Sequence, residues 1–423
     1  MSNTDPLKLE YASTRDGLRV VRQPAPPGAA SFSATYVGPG GWGFERRGEE
    51  GTARFVNHLI TSATQRFDRV ELARRLDAAG ATLTRQASPE SAEVTIWGPA
   101  PDWARLLALL AEVVLYPRFD PDDIARIRRQ FLERQLREMT QPAPRAEREM
   151  LREIFPEGHP YRATGTGVGK SVARLSRATL RKFHRSHYTG DGGLLVITSS
   201  ARFSALQSRV RAAFPAWPES GPEPLRVPAP PRKKHRQRRV ELAGRSQVEI
   251  RLGGPSIPQD TPEFPAAFLA NEVLGGRPLL SRLFQRVREQ NGLAYHASSH
   301  LDTMRSGGIW TAQAGTGADR WTRVVPMLEE EVERIRTAPV PRPELNAIRR
   351  SAVGEIPLAL ESTAEAHELA VDVAYHNLPE DYLLQWPERL AEVTPRSARE
   401  AASTAFERRG SVTVVVGPLE GRH

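Results

Sequence analysis

The sequence predicts an α+β protein of two homologous domains, each a mainly antiparallel sheet with helices packed on one side. Three observations support this class. The chain has 423 residues, which is too long for one typical hydrophobic core. A proline-rich stretch divides it into two halves of similar size. The same order of strands and helices can be read in both halves.

The first half starts with predicted strands over GLRVVRQ and SFSATYV, then helices over GTARFVNHLITSAT and VELARRLDAAG. Paired strands over ATLTRQAS and EVTIWGP follow, then long amphipathic helices and a late strand, GLLVITS. In the second half, the strand SQVEIRLGG precedes helices over PEFPAAFLANEVLG and LLSRLFQRVREQ. Strands over LAYHASSHL and GGIWTAQAG, more helices and a closing strand, SVTVVVG, complete it.

The dividing stretch is residues 215–239, PAWPESGPEPLRVPAPPRKKHRQRR. Its seven prolines interrupt regular structure, and its end is strongly basic. We therefore predict an N-terminal domain over 1–214, a basic linker over 215–239 and a C-terminal domain over 240–423.

The composition argues against several classes of protein. The chain has no run of about 18 apolar residues, so no membrane span is predicted. It has no cysteine, which excludes disulfides, thiolate zinc sites and cysteine nucleophiles. The net charge of +9 comes mostly from arginines interleaved with glutamates, a pattern that favours solvated helices over a nucleic-acid site. No apolar signal-peptide core opens the sequence, and we expect a cytoplasmic protein.

Four segments resemble the pitrilysin/insulinase (inverzincin) metallopeptidases, in particular the short two-domain subunits of mitochondrial-processing-peptidase-like heterodimers. They are GTARFVNHLITSAT, FPEGHPYRATGTG, LRKFHRSHYTGDGGLLVITS and FLANEVLGGRPLLSRLFQRVREQNGLAYHASSHL, in the order that the family has them. The resemblance implies two α+β domains that form a clamshell around a peptide.

The first segment departs from the family's zinc motif, H-x-x-E-H, in which two histidines bind zinc and the glutamate activates water. Here the window reads Arg54, Phe55, Val56, Asn57, His58. The family's third ligand, a glutamate, falls on Arg134, with Glu133 beside it if the register shifts by one residue. A guanidinium has no lone pair for a metal, and an amide cannot take a proton from water. We expect no zinc on this chain.

The second half keeps what the resemblance implies for substrate binding. An arginine and a tyrosine that bind the peptide backbone in the family match Arg288 and Tyr295. Gly275 and Gly276 match a glycine-rich loop near the substrate, although a structural turn explains two glycines equally well. A guanidinium and a phenol can hydrogen-bond a peptide carbonyl and stabilise the oxyanion of a tetrahedral intermediate.

Other motifs are weaker. TGTGVGKS resembles a phosphate loop, but the first glycine of that motif would fall on Thr164. His184 and His187, and His296 and His300, have spacings that could ligate a metal, without a carboxylate or third ligand in the pattern.

Two functions fit the sequence. The first is a non-catalytic subunit that binds extended peptide, with leader-peptide or precursor processing as a possible task, and completes the active site of a zinc-bearing homologous partner. The second is a stand-alone peptide-binding or scaffold protein without protease activity. An intact H-x-x-E-H protein in a neighbouring reading frame would favour the first.

Overall fold

The computed structural model describes residues 7–215, 217 and 220–419. Ala216, Pro218 and Glu219, which belong to the predicted linker, lie outside the described residues.

The strands form two sheets, one from each half of the chain. They are β1 (Glu10–Ser13), β2 (Arg19–Pro24), β3 (Ser31–Gly38), β4 (Thr82–Ala87), β5 (Ala92–Pro99), β6 (Leu194–Ser199), β7 (Arg236–Glu241), β8 (Gln247–Ser256), β9 (Ala294–Met304), β10 (Gly307–Gly317) and β11 (Val412–Gly417).

The helices of the first half are α1 (Thr52–Ile60), α2 (Arg69–Ala78), α3 (Trp103–Leu115), α4 (Pro121–Thr140), α5 (Pro142–Ile154), α6 (Gly169–Arg174), α7 (Arg177–His187) and α8 (Phe203–Ala213). Those of the second half are α9 (Phe264–Asn271), α10 (Trp321–Thr337), α11 (Arg342–Ala359), α12 (Thr363–Tyr375), α13 (Tyr382–Ala391) and α14 (Pro395–Ala405).

The two sheets have the same topology. The first has the strand order β1-β2-β6-β3-β5-β4 and the second β7-β11-β8-β10-β9. Each contains one parallel pair, β2 with β6 and β7 with β11, while the remaining neighbours are antiparallel. Apart from β1, the second sheet therefore repeats the first in order and direction. The predicted α+β class, occurring twice, is confirmed.

Each compact unit of the fold contains one helix that comes from the other half of the chain. The first unit combines the chain up to Gln135 with Thr164–Arg226 and Ile356–Leu384; the second combines Leu136–Ala163, Val227–Glu355 and the chain from Gln385 on. Helix α12 packs on β2, β3 and β6, whereas α5 packs on β8 and β11. These two helices occupy the same place in the element order of their halves. The sequence did not predict this exchange, and the boundaries 1–214 and 240–423 stay a prediction.

The exchanged helix α12 covers a polar face of the first sheet. Along β3 the side chains alternate, so that Ala34 and Tyr36 face the main hydrophobic core while Thr35 faces α12. The buried ring of His367 is held there by two hydroxyl groups: its Nε2 lies 2.7 Å from Thr35 Oγ1 and its Nδ1 lies 2.8 Å from Thr198 Oγ1.

The predicted linker is shorter than expected at its C-terminal end. Strand β7 begins at Arg236, inside the basic run, and pairs with β11 along its whole length. Its side chains are mostly exposed, and charged side chains on an edge strand oppose pairing with further strands. The prolines therefore end regular structure only in the earlier part of the segment.

Within the described ranges, no helix is long and apolar enough to cross a membrane. The cytoplasmic location stays a prediction.

The environment of His367 makes the stability of the first unit depend on pH. Burial lowers the pKa of His367 to about 3, from an ordinary value of 6.5. Between pH 6.5 and about pH 3, His367 is protonated in the unfolded chain and neutral in the folded chain. The free energy of unfolding therefore falls as the pH falls through this window, by about 1.4 kcal/mol per pH unit for this one group.

Urea unfolding of the wild type and of the His367→Asn variant at pH 7 and pH 5 measures this. Between the two pH values, we expect the free energy of unfolding to fall less in the variant than in the wild type. The difference should match the contribution of one proton bound only by the unfolded chain. Replacement of the exposed His300 by Asn is the control and should leave the wild-type pH dependence unchanged. Equal pH dependence in wild type and His367→Asn would show that this histidine is not held neutral.

Candidate functional site: a donor-only face on the first helix

Helix α1 is fixed to the first sheet by its apolar face. Phe55, Val56, Leu59 and Ile60 are all fully buried. The carboxyl group of Glu45 caps the N-terminus, where it accepts hydrogen bonds from the Gly51 and Ala53 N–H groups at 2.9 and 2.8 Å. The helix that the sequence predicts is therefore present, with its remaining side chains carried on a firmly packed scaffold.

His58 is locked in one tautomer by Arg85. The guanidinium Nη2 of Arg85, on β4, lies 3.0 Å from His58 Nδ1. A guanidinium can only donate, so Nδ1 accepts and the neutral ring carries its proton on Nε2. Burial first, and then the charges of Arg85, Arg134, Arg54 and Arg126, lower the pKa of His58 to about 3. The ring is thus neutral at pH 7 and has no lone pair left for a metal.

Asn57 points away from this face and into the core. Its side chain is 1% exposed, and its Nδ2 donates to the Glu93 carbonyl oxygen at 3.1 Å and to the Tyr188 hydroxyl oxygen at 3.4 Å. The residue at the general-base position of the family motif is therefore an amide used for internal hydrogen bonding. It offers no proton acceptor to a water molecule.

Arg54 and Arg134 stand at the other two predicted ligand positions. Arg54 donates to the Thr164 carbonyl oxygen at 3.0 Å and lies over the ring of Trp42, 5.2 Å from its centroid. Arg134 is exposed on α4 and acts electrostatically on His58. Its neighbour Glu133 is not among the charges that act on His58, which supports the register that places Arg134 here.

Zinc does not fit these residues. In the described part of the chain, no three His, Cys, Asp or Glu side chains are grouped so that they could hold a metal ion. Structural and catalytic zinc sites need at least three such ligands. We expect no zinc because of the donor chemistry of this face, and metal analysis is the test.

The two arginines that complete this face, Arg85 and Arg126, were not predicted as site residues. Arg85 also donates to Thr61 Oγ1 at 3.1 Å, and Arg126 donates to Ser62 Oγ at 3.2 Å. Thr61 and Ser62 lie one turn beyond His58, on its side of the helix. The only sequence signal is an arginine in a predicted strand and another in an arginine-rich helix, which is too common to single them out.

The phosphate-loop-like segment serves as packing for α1. A Cβ on Gly167 would lie 2.2 Å from the Glu50 carbonyl oxygen, and one on Gly165 would lie 2.4 Å from the Trp42 ring. Gln135 Nε2 donates to the Thr166 carbonyl oxygen at 2.7 Å. These contacts explain both glycines without a nucleotide.

The paired histidines are likewise held by the fold. His184 Nε2 lies 2.8 Å from the Val114 carbonyl oxygen, and burial lowers the pKa of His184 to about 4. His187 stacks on Phe183 at 4.1 Å between ring centroids. His296 lies 3.6 Å from Glu249. None of these rings has the further ligands that a metal would need among the described residues.

In the second unit, the predicted substrate-binding residues lie on two π-helical turns and the strand that follows them. The turns are Glu272–Gly276 and Phe284–Glu289, with the i→i+5 hydrogen bonds of this geometry from Arg277 N to Glu272 O and from Gln290 N to Gln285 O. Arg288 is on the second turn. Tyr295 is near the start of β9 and is 61% exposed. Single π-helical turns are frequent at functional sites because their geometry is otherwise unfavourable.

Gly275 and Gly276 have a packing role. A Cβ on Gly275 would lie 2.4 Å from the Ser299 backbone nitrogen on β9, and one on Gly276 would lie 2.2 Å from Glu272 Oε1. Only glycine lets this turn approach the sheet so closely. Their contact with substrate stays a prediction.

Comparison with known proteins agrees with this architecture. The profile of "Insulinase (Peptidase family M16)" matches residues 19–164, and that of "Peptidase M16 inactive domain" matches residues 174–352. The chain belongs to the M16, or pitrilysin/insulinase, family. The two profiles follow one another along the chain, and the second begins before β6, the last strand of the first sheet in chain order.

Relatives in the family are named as proteases. An uncharacterized zinc protease of Mycobacterium tuberculosis is 27% identical over 82% of this chain and 79% of its own length. Another from Streptomyces coelicolor is 24% identical over 96% of this chain and 89% of its own.

Two solved structures share the fold. A peptidase M16 inactive domain from Pseudomonas fluorescens has a TM-score of 0.89 at 23% identity, covering 97% of this chain and 98% of its own. A protease from Helicobacter pylori has a TM-score of 0.87 at 18% identity, covering 97% and 99%.

The donor chemistry predicts the metal content of the M16 chain. Protein purified from zinc-supplemented cells should contain far less than one zinc per chain, measured by elemental analysis after gel filtration. One tightly bound zinc per chain would contradict the prediction.

A designed pair of variants tests the reason. The double variant Arg54→His, Arg134→Glu supplies two new ligands, yet should bind zinc poorly because Arg85 still occupies His58 Nδ1. Adding Arg85→Ala should increase zinc affinity markedly, measured by competition with a chromogenic chelator. Equal affinity with and without the Arg85 change would show that the hydrogen bond to His58 does not block the metal.

Proposed function

We propose that this M16 chain is the non-catalytic subunit of a heterodimeric zinc endopeptidase. In this proposal it binds an extended peptide and completes the active site of a homologous partner that carries zinc. Processing of leader peptides or precursors is the task that we infer. The observation that carries the proposal is a division of labour within the chain: α1 lacks metal chemistry, while the second unit presents an uncommitted arginine and tyrosine.

Arg288 and Tyr295 are available for a ligand. Across the described residues, the Arg288 guanidinium makes no hydrogen bond or ion pair, and its contact is with the Phe284 ring, 4.9 Å from the centroid. The Tyr295 hydroxyl group also has no hydrogen-bond partner in the same residues. Because neither side chain forms a hydrogen bond within the described residues, both are available to bind a ligand, and this supports a role in substrate binding.

The loop between the two π-helical turns supports the same role. Leu279 has a positive φ of 65° and is 62% exposed, and Leu280 is 56% exposed. A bulky residue in the left-handed region is strained, and such strain is maintained where the surroundings enforce it. The start of this loop is anchored by Arg277, which forms ion pairs with Glu272, at 2.8 Å, and with Glu355. Two exposed leucines on an anchored loop suit the apolar side chains of a peptide.

Reconstitution with a zinc-bearing M16 partner tests the proposal. The partner should cleave peptides efficiently only when this chain is present. If Arg288 and Tyr295 stabilise a developing oxyanion, Arg288→Ala or Tyr295→Phe should lower kcat of the complex by about 10²-fold to 10³-fold, with assembly intact. A loss confined to KM would mean that they only hold the peptide.

Arg323→Ala is the matched control, since Arg323 is another exposed arginine of the second unit. It should leave kcat unchanged. Full activity of the complex carrying both Arg288→Ala and Tyr295→Phe would refute the assignment. Peptide binding by this chain alone, with no complex formed with any zinc-bearing M16 protein of the same cell, would favour the stand-alone peptide-binding function.

A further inference from the structure

Four arginine side chains act electrostatically on the ring of His58, and we call Arg54, Arg85, Arg126 and Arg134 the arginine cluster. Arg54 lies one turn before His58 on α1, and Arg85 contacts its Nδ1 at 3.0 Å. Arg126 and Arg134 lie on α4 on either side of Phe131, whose ring contacts the His58 ring at 5.2 Å between centroids. The cluster therefore joins three elements, α1, β4 and α4, around one point.

Two members of the arginine cluster, Arg85 and Arg134, carry charges that no ion pair balances in the described residues. Arg126 pairs with Asp123 at 2.7 Å. Arg85 and Arg134 form no ion pair with any carboxylate of the described chain. Burial first, and then the neighbouring charges of Arg126 and Arg134, lower the pKa of Arg85. The cations thus repel each other, and an anion placed among them would relieve this repulsion.

Glu45, whose carboxyl group interacts with Arg54, contributes little negative charge. Glu45 is engaged by the N–H groups of Gly51 and Ala53, and burial raises its pKa to about 8. At pH 7 its carboxyl group is mostly protonated.

Arg85, Arg134 and the Nε2–H group of His58 offer hydrogen-bond donors on this face. The Nε2–H of His58 has no acceptor among the described residues, and its ring is partly exposed. Arg134 is exposed to solvent, and Arg85 also keeps exposed surface although its neighbours partly desolvate the guanidinium group. Guanidinium forks match the two oxygens of a carboxylate or phosphate, and an imidazole N–H can supply a further hydrogen bond.

We propose that the arginine cluster and His58 form an oxyanion-binding site in the place of the zinc site. Its inferred ligand is the side-chain carboxylate of an acidic residue in a bound peptide. The peptide part of this inference rests on the proposed function, whereas the oxyanion chemistry follows from the cluster alone. Free phosphate shares the same chemistry, and the experiment separates the two sources.

The test uses the full chain and two rhodamine-labelled alanine–serine peptides, one with a central Glu and the other with Gln at that position. Fluorescence anisotropy should give about tenfold tighter binding of the Glu peptide, and inorganic phosphate should compete with the Glu peptide only. The preference should weaken as salt is raised. Arg85→Gln or Arg134→Gln should reduce the preference to near unity. Arg134 is exposed and makes no hydrogen bond or ion pair in the described chain, so its replacement should leave folding intact.

The control is Arg129→Gln, an exposed arginine of the same helix that does not act on His58, and it should leave the preference unchanged. Equal binding of both peptides, with no phosphate binding by calorimetry, would overturn the oxyanion site but leave peptide binding intact. A preference that persists in both variants would also overturn it. Phosphate binding that depends on Arg85 and Arg134, without binding of either peptide, would support the site and count against the proposed peptide function.

Discussion

The burial of one face of α1 is the constraint on which the rest of this site depends. Four apolar side chains of this helix are fully buried against the first sheet, and each contributes on the order of 1.5–3 kcal/mol by leaving water. This face must stay apolar for the domain to fold. The opposite face carries no such requirement, so its chemistry can change completely while the helix stays in place. A metallopeptidase scaffold without metal chemistry follows from this separation.

The exposed face of α1 has changed from acceptors to donors. A zinc ion needs lone pairs, which imidazole and carboxylate groups supply. Here Nδ1 of His58 accepts a hydrogen bond from Arg85, and the other two ligand positions carry guanidinium groups. The same helix that would gather ligands around a cation in the family here places arginine donors near the His58 ring. The second unit presents Arg288 on a π-helical turn, and we propose that this arginine binds the substrate.

The sequence predicted the features that rest on local pattern. The repeated order of strands and helices can be read from spacing and residue type, as can a helix within GTARFVNHLITSAT, which the structure has at Thr52–Ile60. The ligand positions at Arg54 and Arg134 come from the resemblance to the family and stay a prediction. The sequence could not predict the exchange of α5 and α12, because an amphipathic helix does not specify which sheet it covers. Arg85 was missed because its partner, His58, lies 27 residues away in sequence and meets it only through the tertiary fold. Strand β7 was missed because a basic edge strand looks like a solvated linker.

The most direct test of this account is the protonation state of the His58 ring, followed by nitrogen NMR of histidine-labelled protein and assigned by loss of the signal in His58→Gln. The account predicts a neutral ring with its proton on Nε2, unchanged from pH 7 down to about pH 4, since the pKa of His58 is about 3. Addition of zinc should not alter the signal. A ring that becomes an imidazolium near pH 6.5, or a neutral ring with its proton on Nδ1, would contradict the account.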